Sequence, residues 1–527
     1  MKHRYAILIG TAMVTAACMP AVSAGNSPQT AVSKAVKSAR VVQSPAGMPL
    51  RLAEKDEDLP LSRDALFDLD RPERPPTGKA PGSAGESPLP GSLKDLFEVE
   101  EAPRPAAASP QRQDPPAPGS SPAPAVSADA AGLRGFLQTE LAYTYGDPEH
   151  WSKTMARLLL TAGGRHEGVK WKASARLDYN PVYDLTDHYP KAVRNDDRLR
   201  LLVHETYVDF STGAWEWRLG RQNIVWGEMV GLFFADVVSA KDQREFVLPD
   251  FQTQRIPQWA LRAEHFGEDF HTELVWIPYP SYDLIGKPGG DFYPYPPLLP
   301  GLTPVIEGEC KPGRQLKNTN YGLRLGKLID GWDLSAFYYN SLDASANFPR
   351  QIVGGTQIYR PRHDRIWQAG GTLGKDLGPF VLKAELIYTD GRKYNTVDPA
   401  DADGLVKQDT LDWVLGADFQ PGPDTRLNTQ LFQRIYFDHD PGIIPDRRES
   451  GASVLVNHKF NGRWEGEALL IASLNRSDWL LRPKLTWRPQ TNWRMTLGVD
   501  VLHGPQTGFF GRYDERDRGY VELRRDF

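Results

Sequence analysis

Apolar and polar residues alternate along much of the chain beyond residue 131. In VKWKASARLDY, residues 169–179, every second residue is apolar, and WRMTLGVDV at 493–501 repeats the pattern. A period of two is typical of a strand whose two faces meet different surroundings. Several apolar faces begin or end in Trp or Tyr, as expected for aromatic girdles at the two interfaces of a membrane.

Connection lengths separate a membrane barrel from a soluble β-sandwich, in which strands also alternate. Short connections such as STGA, GED and LIDG follow the even-numbered candidate strands, whereas most connections after odd-numbered strands are long. This arrangement is typical of an up-and-down outer-membrane barrel. The sequence therefore predicts an all-β fold, a transmembrane antiparallel β-barrel of about 18 strands over residues 131–527. The strands are predicted to start near Leu133, Trp151, Val169, Arg198, Trp215, Trp259, Phe270, Lys317, Gly331, Arg365, Pro379, Thr410, Thr425, Ala452, Trp464, Trp479, Trp493 and Arg518.

Two stretches fit the pattern poorly. RLRLLVHETYVDF, residues 198–210, has no clean apolar face, and Pro483 would remove a hydrogen bond from the ladder of its strand. A barrel of 16 strands is therefore the alternative.

Alternation stops at Gly227, inside RLGRQNIVWGEMVGLFFADVVSAKDQREFVLPDF, residues 218–251. The loop that follows is too apolar to stay extended in water, so we expect it to fold into the barrel mouth. There it either constricts the pore or packs as a plug without a role in selectivity. The candidate constriction residues are Glu228, Phe233, Phe234, Asp236, Asp242, Arg244 and Glu245.

The polar faces of the strands supply candidate lumen residues, because an 18-stranded barrel is wide enough to hold water unless loops fill it. Opposed charges in a lumen set a transverse field that filters solutes; the alternative is that they are ordinary solvated groups. The predicted lumen residues are Lys170, Lys172, Arg176, Asp178, Arg494 and Asp500.

The N-terminal region differs in composition. Residues 1–24 combine a positive start, the apolar run YAILIGTAMVTAA and the small-residue motif VSA, which indicates a signal peptide; lipid attachment at Cys18 is the alternative. Residues 25–130 are rich in Pro and Ala, which predicts a disordered periplasmic segment. Within it, ALFDLD is echoed by DLFEVE, which indicates two binding motifs for a periplasmic or inner-membrane transport partner, a strand-like insert for the lumen, or chance similarity. These motifs contain Leu66, Phe67, Leu96 and Phe97.

The last predicted strand ends in Phe527, with Val521 and Leu523 on the same alternating face and Tyr520 beside them. A terminal phenylalanine after an amphipathic strand resembles the recognition signal of substrates of the outer-membrane barrel assembly machinery. We therefore expect that machinery, together with outer-membrane lipids, among the partners of the chain.

Composition and motifs exclude several other classes. A formal net charge of -5 gives no sign of a nucleic-acid partner. His166, His363 and His439 stand beside carboxylates, but isolated pairs in loops are more typical of solvated groups than of metal ligands. Since no nucleophile and base pair, phosphate loop or calcium loop is recognisable, the sequence predicts no enzyme activity, no cofactor and no metal.

Three stretches carry a family resemblance. LGRQNIVWGE, DVVSAKDQREF and GFFGRYDERDRGYVELRRDF resemble an uncharacterised proteobacterial outer-membrane β-barrel family, catalogued as domain of unknown function thirteen-hundred-and-two. Ser239 and Ala240 stand where members commonly carry Asn-Pro, and the resemblance does not cover residues 25–130. Such proteins are often encoded near an RND-type transporter, which implies envelope transport of a hydrophobic or amphipathic compound. The family offers no catalytic residues to carry over.

These features predict an outer-membrane channel or transport protein that passes or exports a small or amphipathic compound. Its N-terminal segment is expected in the periplasm, where an envelope transport partner would bind. An outer-membrane hydrolase and a surface-exposed structural or adhesive barrel are the alternatives.

Overall fold

Eighteen antiparallel strands close into one barrel in the computed structural model, which describes residues 40–43, 49–52, 132–227, 229 and 235–527. Each strand pairs with its neighbours in sequence, and the last pairs with the first. The strands are β1 Gly132–Thr144, β2 His150–His166, β3 Val169–Tyr179, β4 Leu199–Val203 with Thr206–Thr212, β5 Trp215–Gln222, β6 Gln258–Phe266, β7 Phe270–Tyr279, β8 Asn320–Ile329, β9 Trp332–Leu342, β10 Arg365–Asp376, β11 Phe380–Asp390, β12 Thr410–Gly422, β13 Thr425–Tyr436, β14 Arg448–Lys459, β15 Trp464–Ser473, β16 Trp479–Gln490, β17 Trp493–His503 and β18 Arg518–Asp526. The predicted fold class and the count of 18 are confirmed, and every predicted start lies within four residues of the observed one.

The connections differ sharply between the two ends of the barrel. At one end, hairpin turns of two to four residues follow the even-numbered strands. Asp330 and Gly331 form one of them with φ of 49° and 73°, the left-handed conformations that a two-residue hairpin turn requires. At the other end most connections are long, and the longest joins β7 to β8 through residues 280–319. We call these the short-turn end and the long-loop end.

The two faces of the wall have opposite chemistry. Leu137, Leu141 and Leu274 are exposed on the outer face, while Glu140 and Glu273 of the same strands are buried inside. Aromatic pairs lie near both ends, with Tyr143 against Trp151 and Trp464 against Trp487. An apolar outer band with aromatic ends and a polar interior is the arrangement that a bilayer demands of a barrel.

The stretches that fit poorly are local irregularities of real strands. In β4 the ladder to β3 passes from Val203 opposite Ala175 to Tyr207 opposite Lys172, which makes a bulge. The side chains of His204 and Glu205 at this bulge are buried. In β16 the ladder to β17 is interrupted around Pro483, where no backbone N–H is available. The alternative of 16 strands is therefore wrong.

The long loops carry short elements of their own. Helices of four to seven residues lie at Val182–Leu185 (α1), Lys191–Asp197 (α2) and Phe251–Gln254 (α3). Short strands pair Ala240–Lys241 with Arg255–Ile256, and Lys393–Asn395 with Leu405–Lys407. A small sheet joins Thr303–Ile306, Thr356–Tyr359 and Arg350–Val353 at the long-loop end. In the part of the chain that the structure describes, no helix is long and apolar enough to cross a membrane.

Two strands of the N-terminal region extend this small sheet. Arg40–Gln43 pairs with Pro49–Leu52, which in turn runs parallel to Thr303–Ile306. An unpaired sheet edge exposes backbone donors and acceptors, so it readily takes up another strand. These residues lie at the long-loop end, and the expectation that the whole N-terminal segment lies at the periplasmic, short-turn end is not supported.

Candidate functional site

Between β5 and β6 the chain leaves the wall and enters the barrel, and the structure describes residues 223–227, 229 and 235–257 of this stretch. We call these described residues the inward segment. Its first part packs on the interior faces of β7, β9 and β11, where Trp226 is buried against Phe337 and Tyr339. The wall has room for this ring because β8 carries Gly322, where an added Cβ would lie 2.7 Å from the ring of Trp226. The start of the segment is therefore held by apolar packing.

A second apolar contact holds the segment on a different part of the wall. Phe246 and Leu248 are buried in a cluster with the interior side chains of β14 to β17. The members from these strands are Leu455, Leu469, Ile471, Leu480 and Leu502. The inward segment thus packs on two separate parts of the interior wall, one around β7–β11 and one around β14–β17.

A single carboxylate orders the backbone between these contacts. Glu385 of β11 accepts hydrogen bonds from the backbone N–H of Met229 at 3.1 Å and of Ala235 at 2.9 Å. Buried backbone donors that lack a partner destabilise a fold, so Glu385 replaces partners that a regular strand would provide.

Ion pairs complete the attachment. Glu245 lies 2.6 Å from Lys153 of β2 and 2.9 Å from Arg518 of β18. Arg244 contacts Asp242 within the segment and Asp197 at the end of α2. Because these partners come from strands and loops distant in sequence, the charged residues fix the position of the segment in the closed barrel.

These surroundings hold the acidic groups of the segment in their charged form. Burial raises the pKa of Glu245, but Lys153 and Arg518 outweigh burial and lower the pKa well below its usual range. Burial likewise opposes ionisation of Asp242, yet Arg244 lowers the pKa of this carboxyl to about 2. Both carboxylates are therefore negative at neutral pH.

A cavity of about 130 Å³ lies between the inward segment and the interior wall formed by β1–β4 and β16–β18. Its lining carries many charges of both signs, with nine cations and seven carboxylates. The cations are Lys153, Arg157, Arg176, Arg200, Arg244, Arg482, Arg494, Arg518 and Arg524. The carboxylates are Glu140, Asp178, Asp197, Asp242, Glu245, Asp250 and Glu522.

The structure places the predicted lumen residues on the interior face. Arg176 and Asp178 are paired at 2.7 Å, and Lys172 pairs with Glu205. Asp500 is fully buried between Arg482 and Arg518, and Arg494 lines the cavity beside Glu522. Lys170 is exposed next to the short turn. A filtering role for these residues remains a prediction.

The predicted constriction residues divide into three groups. Asp242, Arg244 and Glu245 line the cavity. Asp236 does not line it but is buried 2.7 Å from Arg255. Glu228, Phe233 and Phe234 lie outside the described residues, as do Leu66, Phe67, Leu96 and Phe97 of the two N-terminal motifs.

The predicted assembly signal lies on β18 and just after it. Leu523 and Phe527 are exposed on the outer face, whereas Tyr520 lines the interior cavity. Val521 is half-buried. Recognition of these residues during assembly remains a prediction.

Sequence reasoning missed most of the charged lining, including Arg157, Arg482 and Arg518. The signal was present, because Arg518, Tyr520, Glu522 and Arg524 alternate along β18 like the residues of β3. Extending the period of two to every strand would have found them.

The three histidines that stand beside carboxylates in the sequence have separate surroundings. His166 is exposed beside Glu167, and His439 contacts the carbonyl oxygen of Pro445. His363 is buried and pairs at 2.8 Å with Glu309, which is remote in sequence. The structure does not bring the three together.

The fold is that of an outer-membrane β-barrel. No protein-family model and no curated protein matches the chain, so the family resemblance remains a prediction. Among solved structures, the outer membrane protein OpdK from Pseudomonas aeruginosa is similar at 10% identity and a TM-score of 0.43, covering 75% of this chain and 99% of that one. The outer membrane channel DcaP of Acinetobacter baumannii is similar at 10% identity and a TM-score of 0.38, covering 76% and 99%. Salmonella typhi OmpF in complex with daunomycin is similar at 11% identity and a TM-score of 0.38, covering 76% and 98%.

Proposed function

We propose that this protein is an outer-membrane channel for small polar or amphipathic solutes, with the inward segment as its constriction. The observation that carries the proposal is the charged cavity between that segment and the wall of β1–β4 and β16–β18. A barrel that served only as a structural anchor would have no need for so many charged side chains around an interior space, since burying each one is costly.

The arrangement of the charges supports passage rather than tight capture of solutes. Most lining groups already have partners within the wall, as Arg157 has with Asp178 at 2.8 Å. A solute therefore meets a field of fixed, compensated charges that binds it weakly at several points, which conduction requires.

The lining also suggests which solutes pass most easily. Its nine cations exceed its seven carboxylates by two, so the field favours anions moderately. Met155 and Leu248 add apolar surface to the same cavity, which suits a solute with a charged group and a small apolar part. The direction of transport follows the concentration gradient in a channel of this kind.

Planar-bilayer recording tests the proposal. The purified barrel should conduct, with a reversal potential in a salt gradient that shows moderate anion preference. The double variant R244Q/E245Q, which loses the ion pairs of these two residues with Asp197, Asp242, Lys153 and Arg518, should increase the mean conductance by at least half. The matched control is R360Q/E307Q, which removes an exposed ion pair of 2.7 Å in the long loops and should leave conductance unchanged.

Two outcomes would contradict different parts of the proposal. A correctly folded barrel that conducts neither before nor after the substitutions is not a channel. A conducting barrel in which R244Q/E245Q and R360Q/E307Q behave alike has its constriction elsewhere.

We further propose that the N-terminal segment recruits an envelope transport partner through residues 66–70 and 96–100. The support is the repeated acidic-hydrophobic sequence, LFDLD and LFEVE. Copurification from crosslinked cells should recover the same partner with the native chain and lose it when Phe67 and Phe97 are both replaced by Ala. Equal recovery by both chains would reject the motifs as binding sites.

A further inference from the structure

Two histidines and an aspartate from three separate segments meet at the long-loop end. His150 begins β2, His188 lies in the loop between α1 and α2, and Asp291 lies in the loop between β7 and β8. Nε2 of His150 is 3.1 Å from both carboxylate oxygens of Asp291. The rings of His150 and His188 stack with centroids 3.8 Å apart and planes inclined by 14°.

The hydrogen bonds of His150 determine which of its nitrogens faces Asp291. Nδ1 lies 2.7 Å from the carbonyl oxygen of Pro148, and a carbonyl oxygen only accepts, so Nδ1 carries the proton. Nε2 is then directed at the carboxylate, and it needs either a second proton or a bound cation between them. A histidine that donates one N–H to a backbone carbonyl while its other nitrogen binds a metal is the usual arrangement in metal sites.

The remaining neighbours orient Asp291. The hydroxyl of Tyr189 donates to Oδ2 of Asp291 at 2.7 Å, and Nε of Arg516 lies 3.7 Å from Oδ1. The tyrosine fixes the carboxylate, while the arginine competes with any cation for it. One ligand atom from each of His150, His188 and Asp291 can be chosen so that all three lie within 4.8 Å of one another.

We propose that His150, His188 and Asp291 bind one Zn²⁺ ion at the mouth of the barrel. Two imidazole nitrogens and one carboxylate oxygen suit Zn²⁺, whereas Ca²⁺ and Mg²⁺ prefer oxygen ligands. His150 and Asp291 already have the spacing that zinc bonds of about 2.0–2.2 Å require. A metal bond lies in the plane of an imidazole ring, so His188 must turn out of its stack with His150 and approach the ion, which its exposed loop position permits. Water completes the tetrahedral coordination.

The bound ion would connect the wall to two long loops. Through His150 it contacts β2, through His188 the loop 180–198, and through Asp291 the loop 280–319. It would therefore reduce the mobility of the mouth without entering the charged cavity. The site does not depend on the proposed channel function.

His363 provides a matched control within the same chain. Its Nδ1 lies 2.8 Å from the carbonyl oxygen of Asp343, and its Nε2 lies 2.8 Å from Glu309, so one histidine and one carboxylate meet in the same way. Its neighbouring ring is that of Tyr282, inclined by 31°, instead of a second imidazole. Within the described residues, the His150 group is the one set of three His, Cys, Asp or Glu side chains with this spacing.

Calorimetric titration of Zn²⁺ into the purified barrel without a histidine tag tests the site. We expect one ion per chain at micromolar or lower Kd, and at least a tenfold weaker Kd for each of H150A, H188A and D291N. H363A should bind like the native chain. Titration with Co²⁺ should give the visible absorption of a tetrahedral ion in the native chain and in H363A, and lose it in H188A.

The possible results separate zinc binding from an ordinary ion pair. If the native chain binds no Zn²⁺, or if H188A binds as well as the native chain, the group is only a paired histidine and aspartate and the proposal is wrong. H188A is the decisive variant, because His188 is exposed and its replacement leaves the barrel folded. Circular dichroism and the heat-dependent gel shift of a closed barrel verify folding for every variant.

Discussion

At the scale of single residues, the interior of the barrel depends on charges that are buried together. Asp500 has no solvent exposure, and its two oxygens receive Arg482 at 2.8 Å and Arg518 at 2.9 Å. Arg518 also reaches Glu245 of the inward segment. One aspartate thus links three strands of the wall to the inward segment.

Replacing Asp500 by Asn should destabilise the barrel by about 3–5 kcal/mol, because two buried guanidinium groups lose their countercharge. The free energy of unfolding in guanidinium chloride measures the effect. Asp333→Asn, at an exposed position on β9, should change stability by less than about 0.5 kcal/mol. Equal losses in the two variants would show that the buried pairs do not stabilise the fold.

The pKa of Asp242 predicts how acid affects the inward segment. A carboxyl with a pKa of about 2 in the folded state and about 3.9 in the unfolded state stabilises the fold by roughly 2–3 kcal/mol above pH 4. That contribution is lost as the pH falls from about 4 through 2. Asp242→Asn should therefore be less stable than the native chain at pH 7, and the difference should vanish near pH 2. Unfolding midpoints measured across this range would contradict the assignment if the difference did not depend on pH.

At the scale of elements, a glycine on one strand makes room for a loop. The ring of Trp226 occupies the space where a side chain at Gly322 of β8 would lie. Trp226 in turn packs the first part of the inward segment against the wall. The position of the inward segment therefore depends on the lack of a side chain at Gly322 as well as on the contacts of Trp226.

Gly322→Val should push Trp226 from its pocket and destabilise the barrel by about 1–3 kcal/mol, with larger current fluctuations if the segment becomes mobile. Gly326→Val is the matched control on the same face of β8, where the nearest atom to an added Cβ is 3.6 Å away. Thermal unfolding and bilayer recordings compare the two. If both variants match the native chain, the packing of Trp226 does not hold the segment.

At the scale of the whole molecule, the outer face must match the bilayer. Leu137 lies near the middle of β1 and is 48% exposed, whereas Leu133 lies close to the short-turn end and is 64% exposed. The cost of a charge on the lipid face depends on depth, so these two positions on one strand should respond differently.

Leu137→Arg should reduce the free energy of unfolding from lipid vesicles by about 2–4 kcal/mol, and Leu133→Arg by about 0–1 kcal/mol. Both substitutions introduce the same side chain on the same face, so the difference reports membrane depth alone. A larger loss at Leu133 would mean that the bilayer covers a different band of the barrel.

The barrel wall could be predicted from the sequence because the alternation of apolar and polar residues that produces it lies within each strand. Each strand separates lipid from lumen within its own few residues, so Lys172, Arg176 and Asp178 could be assigned to the inner face of β3 before any partner was known. The interior contacts could not be predicted in this way. Glu245 meets Lys153 and Arg518, 92 and 273 residues away, and His150 meets Asp291 at a separation of 141. Such pairs follow from closure of the barrel, which no single segment encodes.

The pairing of β18 with β1 closes the barrel and removes the open sheet edges through which the chain could aggregate. Arg518 pairs with Thr144, and these residues are 374 positions apart, so the joint between them is among the last to form. Before that moment a growing sheet has two open edges that can pair with any other strand. Folding intermediates of this chain should therefore aggregate far more readily than the closed barrel. A chaperone that shields the two open edges from other chains should raise the yield of folded barrel more than a ligand that stabilises the closed barrel.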